Sequence, residues 1–149
     1  MYAGTDPLTF PPHFPPATRW KKFFIGVRWL GPDLSFFKAM KRQQASRVQS
    51  QMDVWGTSKQ REIAELLSQA FKQEVRWPTS VFLPGDSFQV MCHGPAFGMI
   101  DDLGSISAIK RLEKHYGIRI PNSFWAGREK SAFGEIAEAL TGLLAQNST

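Results

Sequence analysis

Leu112-Glu113-Lys114-His115-Tyr116-Gly117-Ile118-Arg119-Ile120-Pro121 is the stretch that most strongly indicates the fold. Apolar residues recur at helical spacing up to its middle, at Ile106, Ile109, Leu112 and Tyr116. Gly117 suits the left-handed backbone that often follows a helix, and Ile118 suits the apolar residue that comes next. The pattern therefore predicts a helix that begins near Asp101, Asp102 or Ser105 and ends before Gly117. An extended Ile118–Pro121 should follow it.

Amphipathic patterns on both sides of this stretch predict two more helices. Thr57-x-x-Gln60 is typical of a capping box, and it precedes one apolar face: Ile63, Leu66, Leu67, Ala70 and Phe71. Ser131 is the expected cap of the last helix, whose apolar face comprises Phe133, Ile136, Ala137, Leu140, Leu143 and Leu144. Residues 76–100 are rich in Pro and Gly and predict a long connection, and Asn122–Trp125 predicts one helical turn. No internal repeat or long strand pattern is present, so we expect an all-α fold.

Over residues 57–144 this order of elements resembles that of an acyl carrier protein. In that family a helix ending Leu-Glu-x-x-Phe/Tyr-Gly-Ile-x-Ile-Pro follows an Asp-Ser-Leu motif, and the serine of this motif carries phosphopantetheine. The resemblance implies an acyl-carrier-protein-like helical bundle with a long first loop. We expect this domain to occupy residues 55–149.

The position of the family's modified serine departs from the family pattern. Counting back from Leu112 by the family's spacing places Asp101-Asp102-Leu103 on the Asp-Ser-Leu motif, so that Asp102 replaces the serine. A carboxylate there can still cap a helix and complement its dipole, but it cannot form the serine phosphodiester. We therefore expect no phosphopantetheine, no catalytic residue and a non-enzymatic interaction module or adaptor.

Two other serines keep a genuine acyl or aminoacyl carrier open as an alternative. Leu83-Pro84-Gly85-Asp86-Ser87-Phe88 imitates the family's motif, but Ser87 lies 25 residues before Leu112, much farther than the family's spacing. Ser105 follows a second imitation and lies seven residues before Leu112, which is too close. Both serines also suit turns or helix caps.

The predicted helix is more basic than the corresponding helix of a usual carrier. It carries Lys110, Arg111, Lys114 and His115, with Glu113 as its one acidic residue after the Asp pair. Carriers of this family are usually acidic there and dock on basic enzyme patches, so we expect a different protein partner that has an acidic patch. The predicted partner-binding residues are Asp101, Asp102, Leu103, Ile106, Lys110, Arg111 and Lys114.

Basic charge is concentrated in the N-terminal third. Residues 1–50 carry eight Lys or Arg and two Asp, a net charge of +6, whereas residues 51–149 carry ten basic and eleven acidic residues. Residues 1–17 hold five of the ten prolines and predict an extended segment. Residues 18–54 predict a basic aromatic helical extension, with one helix after Thr18 and a second pattern from Asp33. The second pattern places Leu34, Phe37, Met40, Ala45, Val48 and Met52 on its apolar face and Lys38, Lys41, Arg42 and Arg47 on the remainder.

The aromatic and basic residues of the first helix allow three interpretations. The residues concerned are Trp20, Lys21, Lys22, Phe23, Phe24 and Arg28, and we call them the arm. The arm can pack on the domain or on a protein partner, can bind an anionic membrane surface, or, as the least favoured interpretation, can bind nucleic acid. The oligomeric state stays open.

Composition and motifs narrow the function classes. Five Trp and twelve Phe argue against a disordered chain, and a single cysteine excludes an internal disulfide. The apolar run Phe23–Val27 is too short to span a membrane, so we expect a cytoplasmic protein or one peripheral at a membrane. Cys92-His93 and a cation site of Asp86 with Asp101 and Asp102 are weaker hypotheses than loop and capping roles. We therefore expect no metal site.

Overall fold

A computed structural model describes residues 6–9, 36–56, 58–93, 103–128 and 130–147. These residues form an all-α structure, as the sequence predicts. The α-helices are α1 (Phe36–Ala45), α2 (Ser58–Val75), α3 (Phe88–His93), α4 (Leu103–Tyr116), α5 (Asn122–Trp125) and α6 (Phe133–Asn147), and a 3-10 helix spans Gln49–Trp55. The strand pairing seen in these ranges is an isolated antiparallel bridge between Ser87 and Ala132. Within the same ranges, no helix has the length and apolarity needed to cross a membrane.

Helix α2 lies at the centre of the packing and contacts the 3-10 helix, α3, α4 and α6. Its predicted apolar face is confirmed, because Ile63, Leu67 and Phe71 are completely buried. The corresponding face of α6 is also confirmed, with Phe133, Ile136, Ala137 and Leu140 fully buried. Burial of such side chains stabilises the fold by about 1.5–3 kcal/mol each relative to exposure.

The end of α4 has the geometry that the sequence predicts. Gly117 adopts a φ of +63°, and Ile118 N–H donates to the carbonyl of Glu113 at 3.0 Å. The carboxylate of Glu113 then accepts from Ile120 N–H at 2.7 Å, which fixes the extended stretch and buries Ile120. Asn122–Trp125 follows as the expected single turn.

The long connection predicted over residues 76–100 contains the short helix α3, which the sequence pattern did not indicate. Ser87 caps this short helix by accepting from Val90 N–H at 3.3 Å. Phe88, which begins α3, is buried and forms an edge contact with Phe71 of α2, with ring centroids 5.6 Å apart. Burial of the Phe88 ring therefore stabilises a short helix in this connection, which the Pro and Gly content of the stretch did not indicate.

The helical pattern expected from Asp33 to Met52 is interrupted after Ala45. Val48 is 57% exposed, whereas Met52 in the following 3-10 helix is fully buried. Arg47, expected on the solvated face, is buried because its guanidinium reaches Asp86. That long-range contact competes with continuation of the helix.

The N-cap residue of α6 is Ala132, directly before Phe133. The prediction of Ser131 as the cap is therefore wrong. The carbonyl of Ala132 accepts from the amides of Glu135 and Ile136, and its own N–H donates to the Glu135 carboxylate at 3.1 Å. Ser131 instead offers its carbonyl to Phe88 N–H at 3.1 Å. The loop before α6 is thereby joined to the start of α3.

Residues on both sides of position 55 share one hydrophobic core. Leu8, Met40, Met52 and Trp55 are buried in the same cluster as the inner faces of α2 and α6. Gln44 of α1 strengthens this packing, because its buried amide bonds to the backbone of Thr79 in both directions at 2.9 Å. In the described ranges, the packing therefore continues across the boundary that the sequence suggested.

Several predicted features lie outside the described residues. They include the arm, namely Trp20, Lys21, Lys22, Phe23, Phe24 and Arg28, the cap Thr57, and Asp101 and Asp102 before α4.

Candidate functional site

A groove of about 640 Å³ runs between α3, α4 and α5, and we call it the apolar groove. Its apolar lining comprises Phe88, Cys92, Ile106, Ile109, Ile120 and Trp125. Its polar lining comprises Gln89, Ser105, Lys110, Glu113, Asn122 and Arg128. A mostly apolar concavity with a few polar groups at its edge is the usual form of a binding site in proteins.

Stacked aromatic rings form one wall of the apolar groove. Phe88 of α3 and Trp125 of α5 lie nearly parallel, 7° apart, with centroids separated by 5.6 Å. Trp125 also meets the edge of Phe124 at 4.8 Å, and the guanidinium of Arg128 lies 4.5 Å from the centroid of Phe124. Arg128 additionally donates to the carbonyl of Phe124. These contacts pack the rings of the wall against one another and place one cation at its edge.

The predicted partner-binding residues separate onto two surfaces of α4. Ile106, which is 47% exposed, and the exposed Lys110 belong to the apolar groove. Arg111 and Lys114 line a second groove of about 440 Å³ between α2 and α4, together with Leu66, Gln69, Ala70, Gln73 and His115. Leu103 begins α4. Ile106 and Lys110 are therefore the predicted residues that the apolar groove brings together.

Of the two grooves, the second has more of its positive charge neutralised by other residues of the protein. Arg111 donates to the side-chain oxygen of Gln73 and lies 3.6 Å from the carboxylate of Glu74, both at the C-terminal end of α2. These contacts neutralise part of the positive charge of Arg111 within the protein. Lys110 and Lys114 are exposed, and they remain the stronger contributors to a positive surface.

The two candidate serines occupy different positions relative to the apolar groove. Ser87 lies at the start of α3, where its hydroxyl caps the helix and its N–H donates to the carbonyl of Leu8 at 2.8 Å. Ser105 lies in the first turn of α4, half-buried in the groove lining. Of the two serines, Ser105 is the one that belongs to the lining of the apolar groove.

Asp86 is a structural anchor and does not suit the cation site considered from the sequence. Its carboxylate pairs with the guanidinium of Arg47 through two contacts of 2.6 and 2.9 Å, and both side chains are fully buried. The same two oxygens accept from the N–H groups of Leu8 and Leu83 at 2.8 and 2.7 Å. Four protein donors therefore occupy the carboxylate, which leaves no lone pair directed at a metal.

The role of Arg47 was not evident from the sequence, because a basic residue in an amphipathic pattern is normally solvated. A weak signal existed in the sequence, because Gln43, Gln44 and Arg47 stand close together at i, i+1 and i+4. All three are buried in the structure. Polar residues of this kind are buried when they have partners. Their partners lie more than 30 residues away, where no local pattern reveals them.

The remaining chemical hypotheses concern Cys92-His93 and a metal site. Cys92 is half-buried in the apolar groove, and His93 is the last residue of α3. Among the residues that the structure describes, no three His, Cys, Asp or Glu lie together as metal ligands. Burial, together with the hydrogen bond that its hydroxyl donates to Glu62 at 2.7 Å, raises the pKa of Tyr116, so this group is neutral at physiological pH.

No protein-family model, curated protein or solved structure significantly matches this chain.

Proposed function

We propose that this protein is a non-enzymatic interaction module or adaptor whose helical domain resembles an acyl carrier protein and lacks the usual phosphopantetheine serine. The order of the helices supports the resemblance. Helix α4 ends at Gly117 in a left-handed turn, an extended stretch and the short α5 follow, and α6 packs on α2. Asp102, at the position of the family's serine, offers no hydroxyl for modification.

The apolar groove is the observation that carries the proposal. Ile106 is one of the few large apolar side chains that stay exposed in the described ranges, and it adjoins Lys110 at the groove edge. Arg128 provides a second cation there. This arrangement favours a protein partner that inserts an apolar side chain and presents carboxylates around it.

Binding of such a partner can be tested with wild-type protein and two variants as bait. Ile106→Asp combined with Lys110→Glu should abolish capture of a partner that wild type retains, and the retained complex should weaken as salt rises. Lys41→Glu reverses the charge of an exposed lysine on α1 and is the matched control. Equal capture by all three proteins would count against the apolar groove as the docking surface.

The second candidate function is a genuine carrier modified at Ser87 or Ser105. The half-buried position of Ser105 in the apolar groove is the observation that favours it. Intact mass after co-expression with a promiscuous phosphopantetheinyl transferase distinguishes the two functions, and we expect no mass gain. A gain of one phosphopantetheine that is lost in Ser87→Ala or Ser105→Ala, but kept in the control Ser107→Ala, would establish the carrier instead.

The arm suggests a third function, binding to an anionic membrane surface or to nucleic acid. Its charge supports either contact, and its aromatic residues support the membrane in particular. Binding of the full chain to anionic liposomes and to DNA should be compared with a variant carrying Lys21→Gln, Lys22→Gln and Arg28→Gln. Contact driven by charge alone should disappear at moderate salt, whereas contact with lipid that buries the aromatic rings should partly survive.

A further inference from the structure

The short segment Asp6–Thr9 is held on the domain as a peptide ligand is held by its receptor. Leu8 is completely buried, its N–H donates to Asp86 at 2.8 Å, and its carbonyl accepts from Ser87 N–H at 2.8 Å. One of these bonds joins backbone to backbone and the other joins the backbone to a carboxylate, so the Leu8 backbone is satisfied on both sides of its buried side chain. The residues flanking Leu8 in this segment are exposed.

A second set of bonds fixes the direction of the segment. The carbonyl of Asp6 accepts from the side-chain amide of Gln43 and from the guanidinium of Arg47, each at 2.8 Å. These donors belong to α1 and the turn after it, whereas Asp86 and Ser87 belong to the loop before α3. The segment therefore lies across two parts of the chain that are distant in sequence, and it bonds to both through its backbone.

The groups that receive the segment are largely held in place by other contacts. Arg47 and Asp86 bind each other through two contacts, Leu83 N–H donates to Asp86, and Arg47 also donates to the carbonyl of Val81 at 3.3 Å. A receptor whose polar groups are already oriented loses little entropy when its ligand binds. Recognition is accordingly concentrated in the buried side chain of Leu8 and in five hydrogen bonds to the backbone of the segment.

We propose that the site formed by Gln43, Arg47, Asp86 and Ser87 recognises an extended peptide that inserts a leucine side chain. Residues 6–9 of the same chain occupy this site, and a second copy of the segment can take their place. Residues 10–35 join the segment to α1, and at about 3.3 Å per residue they can reach roughly 85 Å, so chain connectivity does not force the segment onto its own domain. This site is separate from the apolar groove and goes beyond the function proposed above.

Tethering explains why the chain's own segment fills the site. Because the segment is covalently linked to its own domain, its local concentration at the site is on the order of millimolar, far above the concentration of a free peptide at micromolar protein. A free peptide should therefore bind the intact chain much more weakly than a chain whose tether has been cut. This difference is the measurable signature of a receptor occupied in cis.

The experiment uses the full chain with a specific protease site inserted after Pro16, compared before and after cleavage. A fluorescent peptide of residues 1–12 should bind the cleaved protein, after removal of the released fragment, at least about tenfold more tightly than the uncut protein. The same peptide with Leu8→Asp should bind neither. Equal affinity for cut and uncut protein, equal binding of the Leu8→Asp peptide, or no binding to a cut protein with an unchanged circular dichroism spectrum would overturn the proposal.

Hydrogen exchange on the intact chain gives an independent test that does not require cleavage. The Leu8 and Ser87 amides should open by a local motion with a lower free energy than amides at the centre of α2, and this motion should be nearly independent of denaturant. Excess free peptide should keep the Ser87 amide protected, because the peptide supplies the same acceptor, and should make the displaced Leu8 amide of the chain exchange faster. If the two amides exchange only when the whole fold opens, the segment is a permanent part of the core and the proposal fails.

Discussion

The buried cluster around Asp86 and the exposed surface of α4 use similar charged side chains in opposite ways. Arg47 and Asp86 are fully inaccessible to solvent and bind each other, backbone groups and the Asp6–Thr9 segment. Lys110 and Lys114 point into solvent beside two grooves. The difference shows that positive charge in this chain occurs in two environments, and that composition alone cannot separate them.

Energetics explain the division. A buried ion pair gains stability only when its remaining hydrogen-bonding capacity is satisfied, and removal of one partner leaves an uncompensated charge. Exposed charges are screened by water and salt, so they contribute little to folding and are available to a partner. Substitutions in the Asp86 cluster should therefore change stability, whereas substitutions on α4 should change binding.

Asp86→Asn should have the largest effect on stability. It leaves the Arg47 guanidinium buried without its counter-charge, which should lower the free energy of unfolding by about 3–5 kcal/mol. Urea denaturation followed by circular dichroism measures this change. Asp53→Asn is the matched control, because Asp53 also pairs with an arginine but its side chain is 73% exposed. A loss in Asp86→Asn no larger than that in the control would contradict the structural role of the buried pair.

Gly104→Ala tests the inner side of α4 with an intermediate effect. A Cβ atom at this position would lie 2.7 Å from the carbonyl oxygen of Glu74, so α4 and the end of α2 must separate. We expect a loss of about 1–3 kcal/mol in the free energy of unfolding. At the exposed Gly142 of α6 an added Cβ atom would meet nothing within 4 Å, and Gly142→Ala should instead stabilise the protein by about 0.5–1 kcal/mol. Thermal denaturation that gives both variants the same sign would refute the close approach.

Tyr116 is less buried than the Asp86 cluster and more buried than the exposed lysines of α4. Its substitution should give the smallest change in the free energy of unfolding, and only at alkaline pH. Because the folded state raises the pKa of Tyr116 above its ordinary value of 10.0, the neutral phenol stabilises the fold fully below that pH. This contribution should disappear as the pH rises further, so wild type should lose more stability between about pH 9 and about pH 11 than Tyr116→Phe. Denaturation at both pH values measures the difference. Identical losses would mean that the bond to Glu62 does not protect the phenol.

Local patterns predicted much of the helical framework. The buried face of α2, the end of α4 at Gly117 and the single turn of α5 all follow from residues within one or two helical turns of each other. Such features depend on spacing and backbone preference, which one sequence displays directly. The exposed, basic character of Lys110 and Lys114 was predicted for the same reason.

The features that failed or were missed depend on contacts between distant segments. Helix α3 forms because Phe88 packs against Phe71 and Trp125, and α1 ends where Arg47 turns toward Asp86. The distribution of α4 residues between two grooves likewise requires the positions of α2, α3 and α5. None of these contacts produces a periodic pattern in the sequence.

The sequence by itself determined an all-α chain, the apolar faces of its main helices and the concentration of basic charge in its first 50 residues. Each of those properties depends on the types and the spacing of residues that are near each other in the sequence. The tertiary structure decided which charges are buried, that Leu8 belongs to the core, and that Ile106 stays exposed beside a groove. Burial and pairing depend on which segments meet in space, because the free energy of a charged or apolar group is set by all of its surroundings.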